Sequence, residues 1–280
     1  MIANARMYSV SPEAAGLWRR LLTALIEHAG LDVQLLEHTE PKPINDLWQR
    51  TDKAAVFMCG LPFSLSHPRP EFIAAPVPKP AAFHGLPQYW SEMVVRKDSA
   101  FRTIQDTFGT RIALTVPDSQ SGCLAALHYL MTVADRFPLY GEVITPRVTP
   151  LGAMSAVIDG AAEVAPIDSY AYCLLQKYRP DLTSKLRVIA RTAATPIPPL
   201  VASKPGFEAL QAAFLEAHRI AAATPLMTAL LLERFVRADP ESYDALRVNF
   251  EAAGRYWREH RLAATVHPAF REAEPFASSR

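Results

Sequence analysis

Short apolar runs of strand length alternate with amphipathic helical stretches along most of this chain, and that alternation constrains its fold more than any other feature. A strand that continues into a helix must return across the sheet before the next strand begins, so the pattern predicts mostly parallel sheets with helices on both faces. The first such helix follows an extended stretch over residues 3–10. Ser11 and Pro12 offer an N-cap and a first-turn proline, while Leu17, Trp18, Leu21, Leu22, Leu25 and Ile26 recur at three- and four-residue spacing. Gly30 stands where a left-handed C-terminal cap belongs.

Strands are expected over residues 33–36, 54–58, 72–77, 92–96, 111–115, 142–145, 164–167 and 186–190. Helices are expected over residues 45–49, 103–108, 121–137, 153–159 and 169–178, the last stopped by Pro180, and then over 207–223, 225–235 and 240–257. The tail after Ala264 shows no periodicity, and its end is expected to fray. With 280 residues the chain exceeds the usual single-domain size, so two lobes are expected. Proline clusters, the second containing Pro196, Pro198 and Pro199, mark two crossover segments. One lobe is then residues 1–86 plus 197–280, the other residues 87–196, with a ligand cleft between them.

A net charge of +1 with no basic stripe argues against a nucleic-acid partner. No apolar run approaches the ~20 residues that span a bilayer, so no membrane insertion is expected, and a monomer is the expectation. The N-terminus shows no secretory pattern, which by itself reads as cytoplasmic. Three cysteines, Cys59, Cys123 and Cys173, lack any C-x-x-C pairing, and the eight histidines lack metal-site spacing. No glycine-rich nucleotide motif occurs, so neither a metal nor a cofactor is expected.

The segment Asp118-Ser119-Gln120-Ser121-Gly122 lies between a strand and a long helix. Its hydroxyls and first-turn backbone N–H groups can converge on an oxyanion, or the serines can simply cap the helix. Asp168, at the end of a strand, can accept a proton from an oxyanion or cap the helix that begins at Ser169. Cys59 can be a nucleophile or a small buried apolar group, and Gly60 can offer backbone N–H groups in a turn. Arg96 and Lys97 follow a strand and read as solvated. Tyr8, Phe63, Tyr89, Trp90 and Tyr170 can line a ligand or fill the core.

From Tyr89 to Leu200 the chain resembles the phosphate, phosphite and phosphonate substrate-binding components of ABC transporters. The resemblance rests on Tyr89-Trp90-Ser91-x-x-Val94-Val95-Arg96-Lys97-Asp98-Ser99, on Ser119-x-Ser121-Gly122, and on Gly160-x-x-Glu163-Val164-Ala165-x-Ile167-Asp168. It implies an α/β, two-lobed type II periplasmic-binding-protein fold, a small anionic ligand, an ABC permease as partner and a periplasmic location. Ser119 and Ser121 match the family's ligand hydroxyls, and Tyr89 matches a ligand-contacting tyrosine. The candidate ligand-binding set is therefore Tyr8, Cys59, Gly60, Tyr89, Ser91, Ser119, Gln120, Ser121, Gly122, Asp168 and Tyr170. Members that bind aminoalkylphosphonates hold the ammonium with a histidine and two acidic residues; Leu151 or Gly152, Tyr170 and Pro198 stand there instead, so such a ligand is not expected. Two other readings stay open. One is an enzyme on the same fold, a pyrimidine-precursor synthase or thiaminase-like transferase with Cys59 as nucleophile; the other is an intracellular ligand sensor.

Overall fold

The computed structural model describes residues 1–40, 42–145 and 147–266. They form two compact units, Met1–Gln88 with Pro196–Tyr243, and Tyr89–Thr195 with the described residues from Asp244 to Val266. The chain thus passes between the units three times, where two crossovers were expected.

The first unit contains β1 (Ile2–Asn4), α1 (Pro12–His28), β2 (Gln34–Leu35), α2 (Ile44–Trp48), β3 (Lys53–Phe57), α3 (Gly60–Leu65) and β4 (Glu71–Pro78), and the chain leaves it in β5 (Gln88–Tyr89). The second unit contains β6 (Ser91–Arg96), β7 (Arg111–Ala113), α4 (Ala125–Val133), β8 (Tyr140–Ile144), α5 (Pro150–Ile158), β9 (Val164–Asp168), α6 (Ser169–Tyr178), α7 (Pro180–Thr183) and β10 (Leu186–Arg191). After β11 (Thr195–Pro196) the first unit resumes with β12 (Leu200–Ala202), α8 (Glu208–Glu216), α9 (Thr224–Ala229) and β13 (Leu232–Val236). The second then receives α10 (Asp244–Glu259) and β14 (Ala263–Val266).

The helix signals at the N-terminus operate as the sequence implies. Ser11 Oγ accepts the Ala14 N–H at 3.1 Å, Gly30 takes φ +65°, and Trp18, Leu21, Leu22, Leu25 and Ile26 are buried. The extended stretch, however, ends at Asn4, and residues Arg6–Tyr8 form a 3₁₀ turn. Every residue of β3 is buried, Lys53 included; its ammonium donates to the Trp48 carbonyl at 2.7 Å and to the Arg50 carbonyl. Burial lowers the pKa of that ammonium.

Both six-stranded sheets are mixed, which corrects the expectation of mostly parallel pairing. In the order β13-β4-β12-β3-β1-β2, β2, β1 and β3 run parallel, whereas β12 is antiparallel to both its neighbours and β13 is antiparallel to β4. In the order β10-β6-β9-β7-β8-β14, the β10–β6 and β6–β9 pairs are antiparallel and the rest parallel. The antiparallel pairs arise because β6 and β12 are the strands that open each later passage of the chain through a unit, while β13 returns from β12 through α8 and α9, parallel to it on the far side of β4.

Several helices are shorter than their periodicity implies. Residues 103–108 hold a 3₁₀ turn alone, because the Asp106 carboxylate takes the N–H groups of Arg102 and Thr103 at 2.6 and 2.8 Å. The stretch 207–223 ends as α8 at Glu216 and continues as a 3₁₀ turn. The stretch 225–235 breaks at Leu231, which adopts φ +57°, and its remainder is β13. Nor does the chain beyond residue 197 belong wholly to the first unit. α10 packs on α4, where Trp257 Nε1 donates to the Leu127 carbonyl at 3.1 Å, and β14 adds an edge strand to β8. An apolar stripe shows that a helix packs, not on what. The fraying expected at the end of the tail concerns residues outside the described ones.

Candidate functional site

After β7 the chain turns so that Ser119 N–H donates to the Val116 carbonyl at 3.0 Å and Ser119 Oγ accepts the Gly122 N–H at 3.0 Å. The first helical turn, Gln120–Leu124, is π-helical: Leu124 N–H reaches back five residues to the Ser119 carbonyl at 3.0 Å. α4 follows without interruption, so the expected helix over 121–137 spans a widened first turn and stops at Val133. Ser119 therefore caps, as one reading required, while its own proton stays available for donation. Gln120 and Ser121 are buried, and among the described residues the Ser121 hydroxyl makes no hydrogen bond to protein.

The antiparallel pair β6–β9 places Ser91 opposite Asp168. Ser91 Oγ donates to the Ser121 carbonyl at 2.6 Å, and the Ser91 N–H donates to Thr192 Oγ1 at 2.9 Å. The Ser91 hydroxyl thus fixes the turn to the sheet. Asp168 Oδ1 accepts the Tyr170 and Ala171 N–H groups, both at 2.9 Å, and so caps α6. Ser169 ties the same corner to Trp90 by two hydrogen bonds, accepting the Trp90 N–H at 3.1 Å and donating its own N–H to the Trp90 carbonyl at 2.9 Å. Tyr170 is fully buried; burial first, and the Asp168 charge second, hold its phenol well above the ordinary value, so it is neutral. Tyr89 is also fully buried. Five of the candidates, Ser91, Ser119, Ser121, Gly122 and Asp168, are thereby linked through one network at the ends of β6, β7 and β9.

Tyr8, Cys59 and Gly60 lie in the first unit. Tyr8 stacks on Trp18 with ring centroids 6.3 Å apart and meets Phe57 edge-on at 5.0 Å, a core position. Cys59 is the N-cap of α3 and is buried, and its carbonyl accepts the Phe63 N–H at 3.0 Å. Phe63 packs on Phe72 and Tyr243. Burial pushes the Cys123 thiol far up and the Cys173 thiol up to about 11, with Glu92 and Asp168 adding to the latter. Among the described residues no group of His, Cys, Asp and Glu could hold a metal, and no helix is long and apolar enough to cross a membrane.

Two residues at this corner carry no sequence motif. Thr115 continues from β7; its N–H donates to the Gly122 carbonyl at 3.1 Å, and its carbonyl accepts from Thr145 Oγ1 at 3.0 Å. Arg147 follows β8, and its N–H donates to the Leu114 carbonyl at 3.2 Å. The signal available in the sequence was position alone, since both follow strands whose carboxyl ends point to where α/β sheets bind ligands.

Residues 9–243 match the family of ABC-transporter periplasmic substrate-binding proteins for phosphonate, and the chain belongs to that family. Solved structures share the fold. A binding-protein component of an ABC phosphonate transporter from Pseudomonas aeruginosa is 18% identical with a TM-score of 0.74, over 91% of this chain and 87% of the other. PhnD1 from Prochlorococcus marinus, in complex with methylphosphonate, is 15% identical with a TM-score of 0.71, over 92% and 98%. A Xanthomonas citri protein bound to ATP is 17% identical with a TM-score of 0.61, over 93% and 98%. No curated protein matches the chain by sequence. The fold is that of periplasmic binding proteins, and the function is solute binding.

Proposed function

We propose that this solute-binding protein takes a small phosphonate- or phosphate-like oxyanion at the turn Ser119–Gly122 of its second unit and passes it unaltered to an ABC permease. The observation that carries this reading is the Ser121 hydroxyl, which is held at the opening of a helix and is not consumed by any described protein acceptor. Ser119 can donate a second proton, because its oxygen accepts the Gly122 N–H while its own hydrogen remains. Anions settle at such a helix start, where N–H dipoles add to the hydroxyl donors.

The residues at the corresponding sequence positions argue against an ammonium-bearing ligand. By the resemblance, relatives that bind aminoalkylphosphonates hold the ammonium with a histidine and two acidic residues; Leu151 or Gly152 stands in place of the histidine, and Tyr170, a neutral phenol, and Pro198 stand in place of the acids. Catalysis is not part of the proposal: Cys123 and Cys173 are thiols with raised pKa, and Cys59 is buried at the start of α3.

Thermal-shift measurements with methylphosphonate, phosphate, phosphite and 2-aminoethylphosphonate, followed by calorimetry, test this. The first three should stabilise the protein, and the aminoalkyl ligand should bind more weakly. Ser121→Ala should weaken binding about tenfold or more, the loss of one charge-assisted hydrogen bond of roughly 1.5–3 kcal/mol. Stabilisation by a neutral metabolite alone, with every oxyanion inert, would reject the reading.

A further inference from the structure

Resting on the oxyanion reading above, we infer that Arg147 supplies the positive charge of the anion site and that the site selects a doubly charged oxyanion over a singly charged one. Arg147 sits where β8 ends, and its backbone is bonded to Leu114, the residue directly before Thr115, whose own N–H is bonded to the carbonyl of Gly122. The guanidinium is thus rooted two backbone hydrogen bonds from the hydroxyl-bearing turn. Among the described residues its buried Nε has no hydrogen-bond partner and no carboxylate pairs with the guanidinium. A guanidinium stays charged at all physiological pH, and withdrawing one from water without an acceptor is costly. That cost persists in a fold when something outside the chain meets it.

A second group at the same corner is left in the same condition. Thr115 is 3% exposed, its hydroxyl lies against Gly122 of the turn, and among the described residues that oxygen also has no partner. The Thr115 hydroxyl thus meets the turn that presents the Ser121 hydroxyl, and the cation is rooted on the residue next to Thr115, each unsatisfied by the described protein groups. A planar guanidinium fork pairs two oxygens of one ligand at once, and its attraction grows with the ligand's charge.

Calorimetry on the full chain at mildly alkaline pH separates the possibilities, using methylphosphonate, which there carries two charges, and its monomethyl ester, which carries one. The wild-type protein should favour methylphosphonate by about tenfold or more. Arg147→Gln should lose about tenfold in affinity for methylphosphonate and most of that preference, while the ligand-free melting temperature should not fall. Arg147→Lys, which keeps a charge but not the fork, should bind more weakly and keep the preference. An Arg147→Gln protein that binds methylphosphonate as the wild type does, preference intact, overturns the role of Arg147 and leaves the oxyanion reading standing. A wild-type protein that binds neither phosphonate, phosphate nor sulfate ends both. Should Arg147→Gln fail to fold, unchanged methylphosphonate affinity in Arg147→Lys overturns the inference, and weakened binding with the preference retained supports it.

Discussion

Gly122 and Thr115 touch so closely that a Cβ at Gly122 would fall 1.9 Å from Thr115 Oγ1 and 2.7 Å from its methyl carbon. The contact is made by the branch of a fully packed side chain next to its own backbone, so neither partner can yield by a rotamer change. Gly122→Ala should therefore destabilise the protein by roughly 1–3 kcal/mol, the usual cost of forcing atoms into a packed site. It should also displace the turn and abolish anion binding. Combining it with Thr115→Gly should cost less than the sum of the two single changes, since both act through one contact. Chemical denaturation of the four proteins measures that coupling, and strict additivity would show that Gly122 is required for some other reason.

The Arg111–Glu163 pair offers a test confined to the opposite end of β7. Arg111 Nη2 and Nε reach the two carboxylate oxygens of Glu163 at 2.6 and 3.2 Å, and the Arg111 N–H adds a third bond at 2.8 Å. Burial alone would raise the Glu163 carboxyl; the bonds from Arg111 outweigh it and hold the group below its ordinary value. A carboxyl lowered on folding contributes stability above its unfolded pKa and loses it as pH falls through the folded one. Glu163→Gln should accordingly be less stable than wild type by about 0.5–1 kcal/mol at neutral pH, a partly exposed pair being screened by solvent. That deficit should shrink as pH drops below the ordinary carboxylate range and vanish once pH has fallen through the lowered folded value, as read from melting curves. Because Arg111 opens β7 and the hydroxyl turn follows its end, anion affinity should be unchanged.

What the sequence disclosed and what it hid follow from how local each cause is. Helix α1, strand β3 and the Ser119–Gly122 turn are written in caps, stripes and punctuation within a few residues, and so they were legible. β13 was not: Leu232 and Phe235 stand three apart, as on a helix face, and only the left-handed Leu231 and the pairing with β4 make the segment a strand. The helix expected over residues 103–108 failed for the opposite reason, a local one, because Asp106 competes for the backbone donors. At the candidate site the serines carried a motif, whereas Ser91 acts on Ser121 through sheet registry. Arg147 belongs to no pattern at all, and the pairing of β7 with β8 is what brings it beside Thr115.

The same reasoning applies to the last helix, whose amphipathic stripe could not reveal its partner. Trp257 is 5% exposed, donates to the Leu127 carbonyl of α4 at 3.1 Å, and packs edge-on against Tyr256 at 5.0 Å and Phe137 at 6.3 Å. Leu246, Ala253 and Gly254 complete the buried side of α10. Since α4 grows directly out of the hydroxyl-bearing turn, α10 braces the element on which that turn is built. Trp257→Ala should destabilise the second unit by about 3–5 kcal/mol through the cavity it leaves, and Trp257→Phe by about 1 kcal/mol through the lost hydrogen bond. Hydrogen exchange should quicken across residues 125–133 in the alanine variant, and anion affinity should fall with it, because a loosened helix start no longer holds its donors in place. If stability drops as expected while exchange in α4 and affinity both stay at wild-type levels, α10 contributes to the core without supporting the turn.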